Sequence, residues 1–455
     1  MAPEHDVIII GGGPAGAVLA SLLRQAERRV LVLEKDIHPR FHVGEALTPS
    51  TNVIFEQIGF LEKMEQAGFT HKPGVVWTTP NARPGKFVSI RTSEFPFPGA
   101  PRPYSFNVER DLFDTLLLRH AHDLGATVLQ GVGAKEVVFE NGRAVGVRVS
   151  PIDGWEHEAR ARVIVDASGR RCLIPSQLGL RHKDPGFNQF GIYSWFRGVE
   201  PPPAGFEGYL FLHFLGLERA WAWQIPMKDG VWSIGVVTEK GDFQKSGRTH
   251  VEFFEDLARN NRALWDAMEH AERVRPWYIE ADYTYQNERI TGDGWLLVGD
   301  ALRFIDPVFS TGVDVAAYSA LHASRAIDAV LAGGDEREAF SAFETQVTQG
   351  VEAWYELTTL FYDLQIIFTL FAVGNRFREK LIRTLQGNLY MPETLDRARE
   401  LIDEMRDSYE KIMANPDNLL RPDTIKRLRE VFERSAERSG ARSLVPQAEP
   451  VGDAG

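Results

Sequence analysis

Cysteine is nearly absent from this chain of 455 residues, in which Cys172 is the only one. A single cysteine cannot form an intramolecular disulfide, and it excludes a metal cluster held by several cysteines. Such sparse use of cysteine is typical of proteins that work in a reducing compartment. The composition therefore predicts a cytoplasmic protein rather than a secreted domain held together by disulfides.

An excess of positive charge is also missing. The chain has 51 lysine and arginine residues against 63 acidic ones, which gives a formal net charge of -12. Non-specific nucleic-acid binding needs clustered positive charge, so we expect no nucleic-acid partner. With 44% hydrophobic and 25% charged residues, the composition is that of an ordinary globular protein and argues against disorder for most of the chain.

Long hydrophobic runs are lacking as well. The most apolar stretch, residues 360–373, contains Asp363 and Gln365 and is too short to cross a bilayer core of about 30 Å. Residues 1–6 are polar, and the apolar run at 7–10 is too short for the core of a signal peptide. We therefore expect neither a membrane span nor a secretory leader.

The N-terminal segment has the pattern of a strand–helix–strand unit. Residues 7–10 (VIII) predict a buried parallel strand, residues 15–25 a helix, and residues 29–33 (RVLVL) the next strand. A βαβ unit needs about 30 residues, which is the length available here. The chain therefore begins with an α/β nucleotide-binding unit.

A G-x-G-x-x-G motif joins the first predicted strand to the helix. Gly11 permits a tight turn, Gly13 lets the backbone approach a pyrophosphate, and Gly16 allows the helix to pack closely on the strand. The free N–H groups of the helix start attract phosphates. Glu34 ends the second strand, where its carboxylate can accept a hydrogen bond from a ribose hydroxyl. This context favours a dinucleotide site over a glycine-rich turn without a ligand.

The rest of the chain changes pattern twice. Alternating aromatic and polar residues between 187 and 238 predict antiparallel strands that roof a ligand cavity. Residues 295–298 predict a strand that returns to the first domain, and residues from 336 onward are mostly helical. We therefore expect a discontinuous nucleotide-binding domain (1–75, 105–182 and 285–332), a sheet domain (76–104 and 183–284), a helical C-terminal region (333–433) and a disordered tail (434–455).

Two further segments resemble a known family. Residues 165–170 (VDASGR) and 297–301 (LVGDA) resemble the second and third fingerprints of FAD monooxygenases of the p-hydroxybenzoate hydroxylase fold. The resemblance implies a Rossmann-like FAD domain with an inserted antiparallel substrate sheet. It also implies that Asp300 bonds the ribose or ribityl chain, although an aspartate there could simply cap a helix. Arg110, in 108–114 (VERDLFD), resembles the family's arginine near the flavin.

Another loop resembles the family's flexible G-E-A or G-E-S loop over the flavin. It spans residues 42–46 (HVGEA), and Arg40 just before it is expected to reach the FAD phosphates, whereas an ordinary surface loop is the alternative. The implied FAD-binding residues are Gly11, Gly13, Ala15, Gly16, Glu34, Arg40, Glu45, Ala46, Arg110, Asp166, Gly299, Asp300, Gly312 and Val313.

Two motifs resemble those of flavin-dependent halogenases. Trp221, Trp223 and Pro226 match W-x-W-x-I-P, and tryptophans at i and i+2 form an aromatic wall on one sheet face. In the family this wall keeps the substrate away from the flavin, which disfavours direct hydroxylation. Residues 304–312 match F-x-x-P-x-x-S-x-G. The resemblance places a halide at Ser310, Thr311 and Gly312, since helix starts are anion sites, while an ordinary helix cap is the alternative.

Lys72, in 69–74 (FTHKPG), matches the lysine of these halogenases. The resemblance implies that chloride or bromide attacks a flavin hydroperoxide made from FADH2 and O2, and that Lys72 receives the hypohalous acid. A buried ammonium could hold and orient that acid, and a neutral amine could form a haloamine. The alternative is a solvated surface lysine. Only one complete G-x-G-x-x-G is present, which agrees with FADH2 supplied by a separate flavin reductase.

The substrate is indicated by two features. Residues 183–196 resemble the branch that halogenates electron-rich rings carried on acyl or peptidyl carrier proteins, and Phe309 stands where tryptophan halogenases have a glutamate. A missing general base favours an intrinsically nucleophilic ring, either pyrrole or phenol. Arg376, Arg378, Lys380 and Arg383 could form a basic rim for a carrier protein or simply a charged helix face. The alternative functions are a flavin-dependent aromatic hydroxylase and a flavin-dependent double-bond reductase.

Overall fold

The computed structural model describes residues 4–80, 87–151, 154, 156–281, 284–364, 367–418 and 420–421. The predicted disordered tail (434–455) lies outside these residues. The chain divides into two compact units, Met1–Leu401 and Ile402–Gly455. Every residue predicted to take part in the site belongs to the first unit.

The described residues form the following strands: β1 (His5–Ile10), β2 (Val30–Glu34), β3 (Thr70–Lys72), β4 (Gly74–Thr78), β5 (Val88–Arg91), β6 (Ser105–Asn107), β7 (Thr127–Gln130), β8 (Val132–Glu140), β9 (Arg143–Pro151), β10 (His157–Asp166), β11 (Arg181–Lys183), β12 (Gln189–Arg197), β13 (Leu210–Phe214), β14 (Trp221–Pro226), β15 (Trp232–Glu239), β16 (Glu272–Arg273), β17 (Tyr278–Ala281), β18 (Tyr285–Asn287), β19 (Thr291–Gly292), β20 (Trp295–Leu297) and β21 (Arg303–Phe304).

The α-helices of the same residues are α1 (Pro14–Gln25), α2 (Thr51–Gln57), α3 (Leu61–Gln66), α4 (Arg110–Asp123), α5 (Leu173–Leu178), α6 (Lys240–Ser246), α7 (His250–Arg259), α8 (Arg262–Ala267), α9 (Gly312–Leu331), α10 (Glu336–Leu364), α11 (Phe368–Val373), α12 (Asn375–Leu385) and α13 (Pro392–Ala414).

The first sheet has the strand order β19-β20-β10-β1-β2-β7, and the β8–β9 hairpin joins it through β10. Its centre is parallel: β1 pairs with β2 and β10, and β10 pairs with β20. Helices on both faces bury such a centre, which explains the unbroken apolar run of β1. The predicted strand–helix–strand unit is confirmed, with β2 one residue later than expected.

The second sheet has the order β16-β12-β15-β14-β13-β4-β5, with β17 also on β12. The antiparallel strands predicted between 187 and 238 are confirmed as β12 to β15. One face packs on α7 through Phe253, Phe254 and Leu257, and residues of the other face line a cavity. The strand β4 pairs in parallel with β13, a pairing that brings the segment just after Lys72 into this sheet.

The C-terminal part of the first unit is helical, as predicted for its described residues. Trp354 and Phe361 of α10 are buried, and Phe361 packs against Phe309 at 5.4 Å between ring centroids. These aromatic side chains are therefore part of the core. Across the described part of the chain, helices of sufficient length and apolarity to span a bilayer are lacking. The division into domains stays a prediction.

Candidate active site

The glycines of the loop between β1 and α1 allow its backbone to pack closely against neighbouring backbone atoms. Gly11 has a φ of +111°, and a Cβ there would lie 2.3 Å from the carbonyl oxygen of Ala167. A Cβ on Gly16 would lie 2.0 Å from the carbonyl oxygen of Gly11. Neither distance is possible for real atoms, so both positions require glycine. The loop thus leaves its backbone open to a ligand at the start of α1.

A cavity of about 510 Å³ begins at this loop and extends to the second sheet. A volume of this kind is typical of a cofactor or substrate site. The structure brings together at its walls these residues of the predicted site: Gly11, Gly13, Ala15, Glu34, Arg40, Glu45, Ala46, Arg110, Trp221, Trp223, Asp300, Ser310, Gly312 and Val313.

Six predicted residues lie outside the lining of this cavity: Gly16, Lys72, Asp166, Pro226, Gly299 and Thr311. Asp166 accepts hydrogen bonds from the backbone N–H groups of Ser168 and Ile174, at 2.9 and 2.7 Å, and so shapes the loop after β10. Gly299 gives room to Ala15, because a Cβ on it would lie 2.8 Å from that side chain. Both residues therefore position segments that line the cavity without lining it themselves.

Charged groups surround the loop that precedes α2. Arg110 donates to the carbonyl oxygens of Val43 and Gly44 at 2.8 and 3.2 Å, and to the carboxylate of Asp114 at 2.8 Å. Burial alone would raise the pKa of Asp114, but the guanidinium of Arg110 holds it below its ordinary value. The buried ion pair thereby fixes the 43–44 backbone beside the cavity.

The lining fits FAD on three observations. Arg40 Nη2 lies 3.5 Å from where a Cβ of Gly13 would stand, which places a cation beside the helix start that favours phosphate. Asp300 faces the cavity, and burial raises its pKa to about 6. A carboxylate there is available to polyol hydroxyl groups. Glu34 Oε2 accepts the N–H of Gly12 at 2.6 Å, so this residue also holds the glycine loop itself.

The two tryptophans of β14 form the predicted wall. Their rings lie 5.9 Å apart and both line the cavity. Trp221 Nε1 donates to the hydroxyl of Tyr362 at 2.8 Å, and Trp223 Nε1 donates to Ser233 Oγ at 3.1 Å. Ser233 in turn donates to Glu45 Oε1 at 2.9 Å. The wall is therefore locked to α10 and to the 42–46 loop by hydrogen bonds that sequence reasoning missed.

Lys72 is buried, with 5% of its surface exposed. Among the described residues, the hydrogen bond of its Nζ is to the carbonyl oxygen of Leu47 at 2.8 Å. Burial lowers the pKa of Lys72 to about 7. A solvated surface lysine is thus excluded, and the side chain can exist both as an ammonium and as a neutral amine near neutral pH.

Asp314 joins several elements of the site and was not found from the sequence. Its Oδ1 accepts from Ser50 Oγ at 2.5 Å and from the N–H of Asn388 at 3.1 Å, and its Oδ2 accepts from Trp354 Nε1 at 3.3 Å. Burial raises its pKa to about 6. Because Asp314 lies in the first turn of α9, it ties that helix start to the segment containing Leu47.

The start of α9 carries the predicted halide residues. Ser310 adopts a left-handed φ of +60°, and its N–H donates to the carbonyl oxygen of Pro307 at 2.8 Å. Thr311 is buried, whereas Ser310 and Gly312 line the cavity. The first N–H groups of a helix have no acceptor within it, so Gly312 and Val313 present donors suited to an anion. Halide binding here stays a prediction.

Comparison with known proteins identifies the class of protein that this fold and site define. Residues 4–357 match the family described as the FAD binding domain, so the chain belongs to that family. It is 40% identical over 433 residues to a 1H-pyrrole-2-carbonyl-peptidyl-carrier protein chlorinase of Pseudomonas fluorescens, covering 91% of this chain and 95% of the relative. It is 32% identical to the corresponding brominase of Pseudoalteromonas luteoviolacea, covering 84% and 92%.

The solved structures agree with these relatives. That of the flavin-dependent brominase Bmp2 superposes with a TM-score of 0.80 at 28% identity, covering 90% of this chain and 99% of that one. Within the FAD binding domain family, the chain is therefore a flavin-dependent halogenase. The predictions of the fold class, of FAD as cofactor and of a halogenating oxidoreductase are confirmed.

Proposed function

We propose that this halogenase acts on a pyrrole ring bound as a thioester to a peptidyl carrier protein, and that chloride is its preferred halide. The observation that carries the proposal is a buried lysine, Lys72, with a pKa near 7, outside an FAD cavity that is walled by two tryptophans. The similarity to a chlorinase of carrier-bound pyrrole supports the ring and the carrier.

Reduced FAD, supplied by a separate flavin reductase, provides with O2 the two-electron oxidation of halide to an electrophilic halogen. The protein's own residues do the rest. Trp221 and Trp223 separate the ring from the cofactor. With a pKa of about 7, Lys72 is present both as an ammonium and as a neutral amine near pH 7. The ammonium form donates a hydrogen bond to the oxygen of the hypohalous acid and orients the halogen. The proton lost from the ring carbon can pass to the neutral amine or to water.

The ring must be a good nucleophile. Phe309 is buried among aromatic rings, 5.4 Å from Phe361 and 5.6 Å from Phe368. A carboxylate that could deprotonate an unreactive ring carbon is thus replaced here by an apolar side chain. This supports pyrrole, and a phenol remains the second candidate because its ring is also electron-rich.

The proposal predicts chlorination of a pyrrolyl-loaded carrier protein. The purified enzyme, FAD, a flavin reductase with its nicotinamide, O2 and chloride should convert it to a product whose intact mass shows the chlorine isotope pattern. Parallel reactions with bromide, with a phenol-loaded carrier and with free pyrrole-2-carboxylate define the halide, the ring and the need for a tether. A product heavier by one oxygen instead of chlorine would make the enzyme a hydroxylase and contradict the proposal.

A further inference from the structure

A second hollow, of about 200 Å³, is separate from the FAD cavity. Its lining includes Pro49, Phe97, Ala100, Pro101 and Pro103. Proline and phenylalanine give it an apolar wall that is poor in backbone N–H donors, since proline has none. Such a wall suits a flat, partly apolar ligand that carries its own hydrogen-bond donors.

The hollow lies next to the elements that hold Lys72. Thr92, which lines it, donates from both its N–H and its hydroxyl to the carbonyl oxygen of Pro73, at 2.9 and 3.0 Å. Pro73 directly follows Lys72 in the chain. Pro49, on the same lining, is two residues from Leu47, whose carbonyl oxygen accepts the hydrogen bond of Lys72. Two links therefore connect the hollow with Lys72. One is the hydrogen bond of Thr92 to Pro73, the residue after Lys72, and the other is the short segment from Pro49 to Leu47, which accepts the hydrogen bond of Lys72.

Two buried polar atoms in this region have no hydrogen-bond partner among the described residues. Gln386 lines the hollow and is 2% exposed; its Nε2 donates to the carbonyl oxygen of Phe95 at 2.7 Å, which leaves its Oε1 unpaired. Ser105 pairs with Lys72 across the β3–β6 ladder, and its buried Oγ is also unpaired. An unpaired buried acceptor destabilises the fold, and a ligand N–H that donates to it would offset that cost.

We propose that this hollow receives the N–H-bearing end of the substrate arm, the ring and thioester that a carrier protein delivers, and is the way by which they reach Lys72. The inference rests on the proposed function, because only a tethered substrate needs an opening through which its arm remains joined to a carrier outside. Gln386 then serves as the acceptor for an amide or pyrrole N–H of the arm.

The helix beside the hollow suits the carrier protein itself. In a chain with a net charge of -12, α12 has four cationic residues and one acid: Arg376, Arg378, Lys380, Arg383 and Glu379. Arg383 donates to the carbonyl oxygen of Pro96, and Arg378 pairs with Glu94, so α12 adjoins the hollow's wall. Val373, 57% exposed, ends α11 two residues before α12 begins. Acidic partners offset part of this charge, since Lys380 pairs with Glu400 at 3.1 Å and Arg383 with Glu379 at 2.8 Å. The positive charge that α12 keeps in excess is complementary to the negative phosphodiester through which such an arm joins its carrier.

Filling the hollow tests the first half of this proposal. Ala100→Trp should raise KM for the pyrrolyl-loaded carrier at least about tenfold, the equivalent of 1.4 kcal/mol in binding. Hypochlorous acid formation, measured with a free 1,3-diketone trap, and FAD binding should stay at the wild-type level, because neither uses the hollow. Ala332→Trp, at an exposed position after α9, is the control for adding a tryptophan.

The outcomes separate the two proposals. An Ala100→Trp enzyme that uses the loaded carrier as well as the wild type would overturn the hollow as the entrance and leave the proposed function standing. A wild-type enzyme that makes hypochlorous acid but never chlorinates any loaded carrier would overturn the proposed function itself.

Reversing charge on α12 tests the second half. Arg376→Glu should raise KM for the loaded carrier several-fold at low salt, and the difference should shrink as salt screens it. Arg259→Glu reverses an exposed charge on α7, whose packing face serves the second sheet, and should leave KM unchanged. Equal KM values for the wild type and Arg376→Glu across salt concentrations would overturn α12 as the docking face.

Discussion

Replacing Lys72 by methionine is expected to abolish halogenation and to stabilise the fold at the same time. The loss should be about 100- to 1000-fold in kcat, the range for removing a preorganised donor that acts on the reacting atoms. The gain in stability arises because Lys72 is buried without an acidic partner, which lowers its pKa from 10.5 to about 7. At pH 7 that burial penalty amounts to about 4 kcal/mol, which methionine does not pay.

The sign of the pH dependence follows from the same pKa. Between pH 7 and pH 10.5 the unfolded chain binds more protons at Lys72 than the folded chain does, so the wild type gains stability as the pH rises. The methionine variant lacks this gain. The difference in free energy of unfolding between the two FAD-loaded proteins, measured by urea titration, should therefore be full-sized below pH 7, fall as the pH rises through 7, and nearly vanish by pH 10.5.

Lys63→Met is the matched control, because Lys63 is partly exposed and pairs with Asp123 at 3.0 Å on the surface. Such a pair contributes about 0–1 kcal/mol, so this variant should keep both its activity and its stability. A Lys72→Met enzyme that retains about a tenth or more of the wild-type kcat would show that Lys72 does not orient the halogen. A variant no more stable than the wild type at pH 7 would show that Lys72 is not buried as a lone cation.

The local parts of the site could be predicted from the sequence, because short-range geometry determines them. A strand, a glycine turn and a helix follow one another within residues 5–25, and two tryptophans at i and i+2 must share a face of β14. The residue types at these spacings admit few other backbone paths. The positions of Gly11 and Trp223 in the cavity wall therefore agree with expectation.

What could not be predicted depends on partners distant in the sequence. Lys72 stands in a polar-looking loop, and its burial results from Leu47 and from the ladder to Ser105. Asp314 looks like an ordinary acid in a first helical turn, yet its partner Ser50 lies 264 residues away. The parallel pairing of β4 with β13 is also long-range, and a short strand carries no pattern that names its neighbour.

Gly16→Ala should destroy FAD binding more completely than any change to a polar residue of the cavity. The new Cβ would stand 2.0 Å from the carbonyl oxygen of Gly11, and Gly11 cannot move away because its own backbone lies against Ala167. The helix start and the strand end must therefore separate, at a cost of about 2–3 kcal/mol or more. This corresponds to FAD binding weakened by roughly 30- to 150-fold or more, measured by titration of flavin fluorescence.

The control for this change adds the same methyl group where there is room for it. Gly241 lies in the first turn of α6, and a Cβ there meets no heavy atom within 4 Å. Gly241→Ala should bind FAD as the wild type does and be slightly more stable, because alanine favours a helix over glycine by up to about 1 kcal/mol. If Gly16→Ala also bound FAD like the wild type, the glycine loop would not be the pyrophosphate site, and the phosphates would have to contact another part of the cavity.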